Sequence, residues 1–215
     1  PNLGTIHDLA YVIGEATLMM NASYRWHDEF AFFEFSKKKI ILKRSNVKYW
    51  VTESYDEIPY AQNLAGIRKV LVFEDFLPRA FLVGDSQNVH EDRLLEVYYD
   101  SEFDPLKQVL LVMPVSMKKT ENFSGQVEEL SYSLNGVNVK TNQNGEGFLV
   151  LLDTWFPGWQ VTVDGMPQPI YRAVKLGSGN HSIEFSYVPV GLKMEAYISS
   201  FALIFIVLLF FKRTR

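Results

Sequence analysis

The chain has 215 residues, a formal net charge of −4 at pH 7 and no cysteine. That length is enough for one large domain or two smaller ones with a buried core. The lack of cysteine excludes disulfides, thiolate metal sites and a cysteine nucleophile, and the mildly acidic balance gives no electrostatic support for a nucleic-acid partner.

The first half of the chain predicts a mixed α/β segment, which we place at residues 1–115. Residues 5–44 have no clear period, and we expect them to be partly helical with a basic end at Lys37 to Lys39. The stretch from Val89 to Tyr99 is predicted to be a helix because apolar residues recur on one face. Apolar and alternating runs predict strands at 47–52, 69–74, 80–83 and 108–113.

Residues 120–190 carry the clearest β pattern and predict a β-sandwich. Two alternating runs flank Asn135-Gly136, which is the strongest short-range signal for a hairpin. Asp164-Gly165 predicts a second tight turn, and the apolar run 147–152 suits a strand that is covered on both faces. Further strands are predicted at 126–134, 137–140, 160–163, 170–176 and 181–187, at the regular spacing of a sandwich.

The C-terminal end predicts a transmembrane helix at 191–211. No charged residue occurs from Ala196 to Phe211, and extending the run back to Gly191 reaches the length of about 20 residues that a bilayer core needs. The alternative is a buried helix of a soluble protein, which the missing amphipathic period disfavours. The fold class expected for the whole chain is therefore mainly β with some α: a mixed segment, a β-sandwich and one membrane helix.

The basic tail at 212–215 predicts the orientation of that helix. Lys212, Arg213 and Arg215 follow the apolar run directly, and cations at the end of a span mark its cytoplasmic side. We therefore expect the bulk of the chain to lie outside the cytoplasm of a bacterial cell, against the membrane bilayer. Because the chain opens on Pro1 without a signal peptide, we expect it to be a processed chain or a piece of a longer one.

Aromatic and acidic residues around 153–164 form the candidate glycan-contacting site. Trp155 and Trp159 could stack on sugar rings, while Asp153 or Asp164 could accept hydrogen bonds from sugar hydroxyls. The alternative is that Pro157-Gly158 forms a turn, that both tryptophans pack into the core, and that Asp164-Gly165 is simply a turn.

No motif predicts a cofactor or a metal. The chain has no phosphate-binding glycine-rich loop, dinucleotide fingerprint or nucleophile elbow. The acidic residues lie in expected loops without calcium-loop spacing, and the four histidines are scattered along the sequence.

A series of short motifs runs through the chain in a fixed order. It comprises Asn46 to Tyr49, Leu77 to Val83, Phe103 to Pro105, Gly147 to Val150, Trp155 to Trp159, Val163 to Gly165, Gly179 to His181 and Phe185 to Pro189. In order and spacing, this series resembles the C-terminal region of the YfhO-like family, multi-pass bacterial membrane proteins of the GT-C glycosyltransferase type.

The resemblance implies that the intact protein has many spans and transfers sugar from a polyprenyl-phosphate donor to a cell-envelope acceptor such as lipoteichoic acid. In GT-C enzymes the acidic catalytic residue lies in the first outer loop, which this sequence does not contain, so no catalytic residue is carried over. Arg79 could contact the phosphate of a lipid-linked donor; alternatively it bonds nearby carbonyls or an acid such as Glu74 or Asp75.

Three interpretations of the function follow. The first is an extracytoplasmic accessory part of a membrane glycosyltransferase that shapes the acceptor side of its active site. The second is a β-sandwich module that binds envelope glycan without catalysis. The third is a structural partner domain, which would carry a broad exposed apolar patch.

Overall fold

The computed structural model describes residues 30, 32–52, 62–64, 68–153, 157–169, 173–189, 191, 195 and 197–205. These residues are mainly β-structure, as predicted. The chain divides into two compact units. We call residues 1–79 with 87–114 the first unit, and residues 80–86 with 115–215 the sandwich unit.

The described residues of the first unit include a helix and a three-stranded antiparallel sheet. The helix α1 spans Phe35–Arg44, and the sheet has the order β1-β3-β2. The apolar side of α1, with Ile41 and Leu42, packs against Leu71 and Phe73 in one core cluster. The strands are β1 (Tyr49–Thr52), β2 (Gln62–Leu64) and β3 (Arg68–Val72).

The end of α1 explains the first motif of the series. Asn46 has a φ of +59°, and its N–H and that of Val47 bond back to the carbonyls of Lys43 and Leu42 at 3.3 and 3.0 Å. This is a Schellman motif, in which a left-handed residue ends the helix and the next apolar residue packs back onto it. The Asn46 side chain also donates to the carbonyl of Leu77.

The predicted helix at 89–99 is shorter in the structure. A single 3₁₀ turn at Glu91–Arg93 leads into α2, which covers only Leu94–Tyr98. Strand β5 (Asp85–Asn88) precedes it, and β6 (Gln108–Leu111) follows and pairs with β5 in a two-stranded sheet. Strand β6 ends at Leu111, two residues before the predicted end at 113.

The sandwich unit contains two antiparallel sheets around a shared core. The five-stranded sheet has the order β11-β10-β13-β8-β7, and the three-stranded sheet has the order β12-β9-β4. Buried Val139, Val161 and Ile183 from the first sheet meet Leu149 and Val174 from the second. The strands are β4 (Ala80–Val83), β7 (Gly125–Ser133), β8 (Gly136–Gln143), β9 (Gly147–Leu151), β10 (Trp159–Val163), β11 (Met166–Gln168), β12 (Ala173–Leu176) and β13 (Gly179–Tyr187).

Both predicted hairpins are present, but one turn is shifted. Asp164 and Gly165 have φ of +52° and +80°, as a two-residue type I′ turn requires. In the other hairpin Ser133 pairs with Gly136, so the turn residues are Leu134 and Asn135. Gly136 is needed for a different reason, because a Cβ there would lie 2.8 Å from the backbone oxygen of Phe185.

The strand β9 is buried on both faces, as its apolar run predicted. Phe148, Leu149 and Val150 are all buried. Phe123 packs against this strand so closely that a Cβ on Gly147 would lie 2.6 Å from its ring. Gly147 lies on the same face of β9 as the core residue Leu149, so Phe123 packs beside the shared core of the two sheets.

The C-terminal part of the chain is helical at residues 197–205, and its apolar side chains are exposed. Tyr197 and Phe201 are each 75% exposed. No helix within the described residues is long and apolar enough to cross a membrane. Residues 192–194, 196 and 206–211 of the predicted span, and the basic tail at 212–215, lie outside the described residues.

Candidate functional site

An aromatic pair lies at one end of the five-stranded sheet. Trp159 opens β10 directly opposite Tyr187 on β13, with ring centroids 5.5 Å apart and planes inclined by 52°. Trp159 is half-buried and packs against the core cluster of the sandwich. One part of the Trp159 indole therefore packs against the core, as a structural role requires. The other part is accessible, and a sugar ring could stack on it.

The turn before Trp159 requires a glycine at position 158. Gly158 has a φ of +114°, and a Cβ there would lie 2.4 Å from the backbone oxygen of Val188. The N–H of Val188 donates to the Gly158 carbonyl at 3.0 Å. This close backbone contact fixes the start of β10 against the end of β13, and it sets the position of the Trp159 ring.

The remaining members of the predicted glycan site are only partly brought together. Asp153 is half-buried two residues after β9, in the connection that leads to β10. Trp155 lies outside the described residues. Asp164 follows the last residue of β10, so the rise of a strand separates it from Trp159 by about 16 Å.

Asp164 is occupied by contacts within the sandwich unit. Its carboxylate accepts from the backbone N–H of Ser182 at 2.9 Å and contacts Nδ1 of His181 at 2.8 Å. The Ser182 N–H, and then the bond to His181, hold the pKa of the Asp164 carboxyl below its usual range. The Asp164 N–H in turn donates to the Ser182 carbonyl at 2.8 Å. These contacts tie the β10–β11 turn to β13.

His181 lies between two acceptors. Nδ1 faces the Asp164 carboxylate, and Nε2 lies 3.3 Å from the carbonyl oxygen of Gly177. The same carbonyl accepts from the side-chain amide of buried Gln143. Because both ring nitrogens of His181 face protein acceptors, neither is placed to take a proton from a substrate. The pair of Asp164 and His181 therefore has a structural role, which is to hold the β10–β11 turn against β13.

The phosphate-contact candidate, Arg79, is half-buried and immediately precedes β4. Asp75, one of its predicted acidic partners, forms a salt bridge with Lys43. The hydrogen bond from Lys43 lowers the pKa of the Asp75 carboxyl. Among the residues that the structure describes, no group of three or more histidines and acids could hold a metal ion.

Arg44 is a central polar residue of the first unit that the sequence patterns do not single out. Its guanidinium donates to the carbonyl of Asp100 at 3.0 Å and to those of Tyr98 and Phe103. The Tyr98 hydroxyl donates to the Arg44 carbonyl at 3.0 Å, and burial lowers the pKa of Arg44. These partners lie more than fifty positions further along the chain, so local sequence patterns do not reveal them. The one available signal is that Arg44 is a basic residue at the end of a helix, where it can bond to carbonyls.

Comparison of the chain with protein-family models, curated proteins and solved structures finds no match.

Proposed function

We propose that this chain is the extracytoplasmic C-terminal part of a membrane glycosyltransferase-like protein of the YfhO-like, GT-C type, anchored in the bacterial membrane by its last helix. In this proposal the intact protein uses a polyprenyl-phosphate-sugar donor and acts on cell-envelope glycopolymers. The sandwich unit shapes the acceptor side, and the chemistry belongs to upstream residues.

The observation that carries the membrane part of the proposal is the exposed apolar helix at 197–205. Ile198, Leu203 and Ile204 are 64%, 64% and 58% exposed. Such an apolar surface, which only Ser199 and Ser200 interrupt, is unfavourable in water and favourable in a lipid core. The uncharged sequence continues to Phe211 and then meets the cationic tail, which supports a span that ends on the cytoplasmic side.

The family part of the proposal is supported by the places of the motifs in the fold. Asn46 ends α1 in a left-handed conformation, Gly158 allows the close contact at the start of β10, and Asp164-Gly165 forms a tight turn. These residue types are required by backbone geometry. A series of such positions in a fixed order is what a shared fold would retain.

The anchor is tested by vesicle flotation of the full 215-residue chain. We expect the chain to float with vesicles and to resist carbonate extraction. Phe201→Arg should weaken insertion by about 3 kcal/mol, the cost of a cation at the centre of a span. The matched control is Leu134→Arg, which introduces the same charge at a turn residue that is 97% exposed. Wild-type chain that remained in the aqueous fraction would contradict the proposal.

The catalytic context is tested in the intact protein. We expect removal of residues 1–190 of this sequence from the full-length protein to abolish sugar transfer while the protein remains in the membrane. Transfer that survived the deletion would show that the sandwich unit is not part of the acceptor side.

A second candidate function is a glycan-binding module without catalysis. The half-buried rings of Trp159 and Tyr187 favour it, because they present aromatic surface at one end of the sheet. Trp159→Phe should retain packing and weaken oligosaccharide binding, whereas Asp164→Asn, at the other end of β10, should leave binding unchanged. Equal oligosaccharide binding by the wild type and both variants would exclude the Trp159–Tyr187 pair as a glycan site.

A third candidate is a structural partner domain, and an apolar sheet face in the first unit favours it. Tyr49, Val51 and Val72 lie on the outer side of β1 and β3 and are 57%, 52% and 44% exposed. Stable co-purification of another chain, lost on substitution of these residues by threonine or serine, would support it.

A further inference from the structure

A basic segment surrounds α1, although the whole chain is acidic. Residues 34–48 contain Lys37, Lys38, Lys39, Lys43, Arg44 and Lys48 but only one acid, Glu34, whereas the complete chain has a net charge of −4. Six cations and one acid give this segment a local net charge of +5.

The two cations at the end of α1 have structural partners. Lys43 forms a salt bridge with Asp75, and Arg44 donates to three backbone carbonyls of the segment 98–103. Both lie in the last turn of α1, where the helix dipole favours positive charge. Folding of the first unit accounts for these two residues.

The lysines at the start of α1 are not explained in the same way. Lys37 and Lys39 are exposed, and Lys37 and Lys38 lie in the first turn, which contains no acidic residue. Cations in a first turn oppose the helix dipole, and adjacent like charges repel each other. Both effects lower the stability of the helix, although the Lys38 ammonium also lies 5.8 Å from the centroid of the buried Phe30 ring. The stability of the helix therefore does not explain why three lysines are adjacent here.

Exposed aromatic side chains accompany these lysines. Phe32 is 89% exposed, and Phe35, which stacks on Trp50 with ring centroids 5.8 Å apart, is 36% exposed. The ammonium of Lys37 lies 4.1 Å from the centroid of the Phe33 ring. The surface therefore combines positive charge with aromatic side chains that water does not favour. We call Phe32, Phe35 and Lys37 to Lys39 the basic-aromatic patch.

We infer that the basic-aromatic patch docks on an anionic phospholipid surface. Lysine ammoniums near such a surface are attracted to the lipid phosphates, and exposed phenylalanine can enter the boundary between headgroups and acyl chains. The lysines of the patch therefore suit the charged headgroups, and its phenylalanines suit the boundary with the acyl chains. The inference extends the proposed membrane attachment, since a chain held at the membrane needs only weak additional contacts to dock there.

The test uses the full chain with one fluorescent label. Because the chain has no cysteine, Ser36→Cys provides a unique attachment point for an environment-sensitive dye beside the patch, and Ser131→Cys provides an exposed reference position in the sandwich unit. Labelled chains are mixed with vesicles of phosphatidylcholine alone, or of equal parts phosphatidylcholine and phosphatidylglycerol.

We expect the dye at position 36, and not the dye at position 131, to shift to the blue in the anionic vesicles only. Raising the salt to about 1 M, where the screening length falls to about 3 Å, should reverse the shift. Lys37→Gln/Lys38→Gln/Lys39→Gln should lower the ratio of docked to free patch by about 100-fold, or roughly five-fold for each lysine. The corresponding triple arginine variant should keep the shift, because it keeps the charge.

The matched control is Lys107→Gln/Lys119→Gln/Lys140→Gln, which changes the net charge equally at three exposed salt bridges and should leave the shift intact. Equal responses in neutral and anionic vesicles, or a loss of response in this control, would overturn the inference. A response to soluble polyphosphate without vesicles would assign the patch to a soluble polyanion instead.

The experiments distinguish failure of the membrane anchor from failure of docking by the basic-aromatic patch. Flotation with neutral vesicles and no anionic shift at position 36 would retain the anchor and overturn docking by the patch. Association with anionic vesicles only, lost in the triple glutamine variant, would retain docking and overturn the anchor. Association with neither vesicle would overturn both.

Discussion

In the sheets of both units, side chains alternate between the core and the outer face. The outer face is polar in the sandwich unit and apolar in the first unit. In the sandwich unit, β8 directs Val137 and Val139 into the core and leaves Asn138 and Lys140 exposed. Outward polar side chains are normal for an antiparallel sheet that faces water on one side. Nothing beyond water is needed to cover this face.

In the first unit, the sheet of β1 and β3 is apolar on both faces. Leu71 is buried in the core with Trp50 packed against it, while Tyr49, Val51 and Val72 are exposed on the other side. Tyr49 pairs with Val72 across the two strands, so these residues form one patch. The outer face of β8 is therefore suited to water, whereas the outer face of β1 and β3 is suited to a less polar neighbour.

The largest effect should come from emptying the core of the sandwich. Ile183 is fully buried in the shared core, so Ile183→Ala should lower the free energy of unfolding by about 2–5 kcal/mol. Urea unfolding in detergent measures this loss. Leu134→Ala, at a turn residue that is 97% exposed, should change the free energy by less than about 0.5 kcal/mol. Similar losses in both variants would show that the two sheets do not depend on the shared core.

Glycine substitutions should separate two physical requirements within the sandwich unit. Gly136→Ala places a Cβ 2.8 Å from a backbone oxygen and should cost about 1–3 kcal/mol through overpacking. Gly165 has open space around it and a φ of +80°, so Gly165→Ala should cost only about 1 kcal/mol through backbone strain.

Asparagine at the same two glycines provides the control. Asparagine tolerates a positive φ, so Gly165→Asn should recover most of the loss seen with alanine. Gly136→Asn should not recover it, because its defect is steric. Recovery at both positions in urea unfolding would mean that Gly136 is also required for its φ.

The sequence was most informative where local rules decide the structure. Alternation and turn residues predicted both hairpins, the doubly covered strand β9 and the strand at 80–83, which the structure has at Ala80–Val83. The Asn135-Gly136 turn was misplaced by one residue, because the close approach of the Phe185 backbone, and not a positive φ, fixes the glycine. That contact depends on the register between distant strands, which local sequence does not specify.

The candidate site was less predictable for the same reason. The Trp159–Tyr187 pair and the contacts of Asp164 with His181 and Ser182 arise from the register of β10 with β13. Grouping Asp164 with Trp159 by sequence distance ignored the rise of an extended strand, which places five residues about 16 Å apart. Proximity in sequence indicates proximity in space only within a turn or a helix.

The contacts of Asp164 with Ser182 and His181 should give a small, pH-dependent contribution to the stability of the sandwich unit. The Ser182 N–H and His181 lower the pKa of its carboxyl in the folded protein. A carboxyl with a lowered folded pKa stabilises the protein above its unfolded pKa, and that contribution is lost as the pH falls through the folded pKa. Because the side chain is 52% exposed, solvent screening should limit the effect to below about 1 kcal/mol.

Asp164→Asn measures this contribution with little change of shape, since asparagine also tolerates the positive φ. The free energy of unfolding of the variant should lie below that of the wild type near pH 6 and converge with it at pH values below the folded pKa. A difference that stayed constant over this range would assign the role of Asp164 to the turn conformation and not to its charge.

The smallest effect on stability should come from the outer face of the first unit. Val51→Thr/Val72→Thr keeps β-branched side chains on exposed positions and should change the free energy of unfolding by less than about 0.5 kcal/mol. The same exchange at buried Val139 and Val161 should cost about 1–3 kcal/mol for each hydroxyl left without a partner. Urea unfolding compares the two pairs, and binding of a hydrophobic dye reports the exposed patch. If the outer pair reduces dye binding without reducing stability, the apolar face is not needed for folding and is available to a neighbour. If it destabilises the protein as much as the inner pair does, that face belongs to the core, and the contrast between the two units is lost.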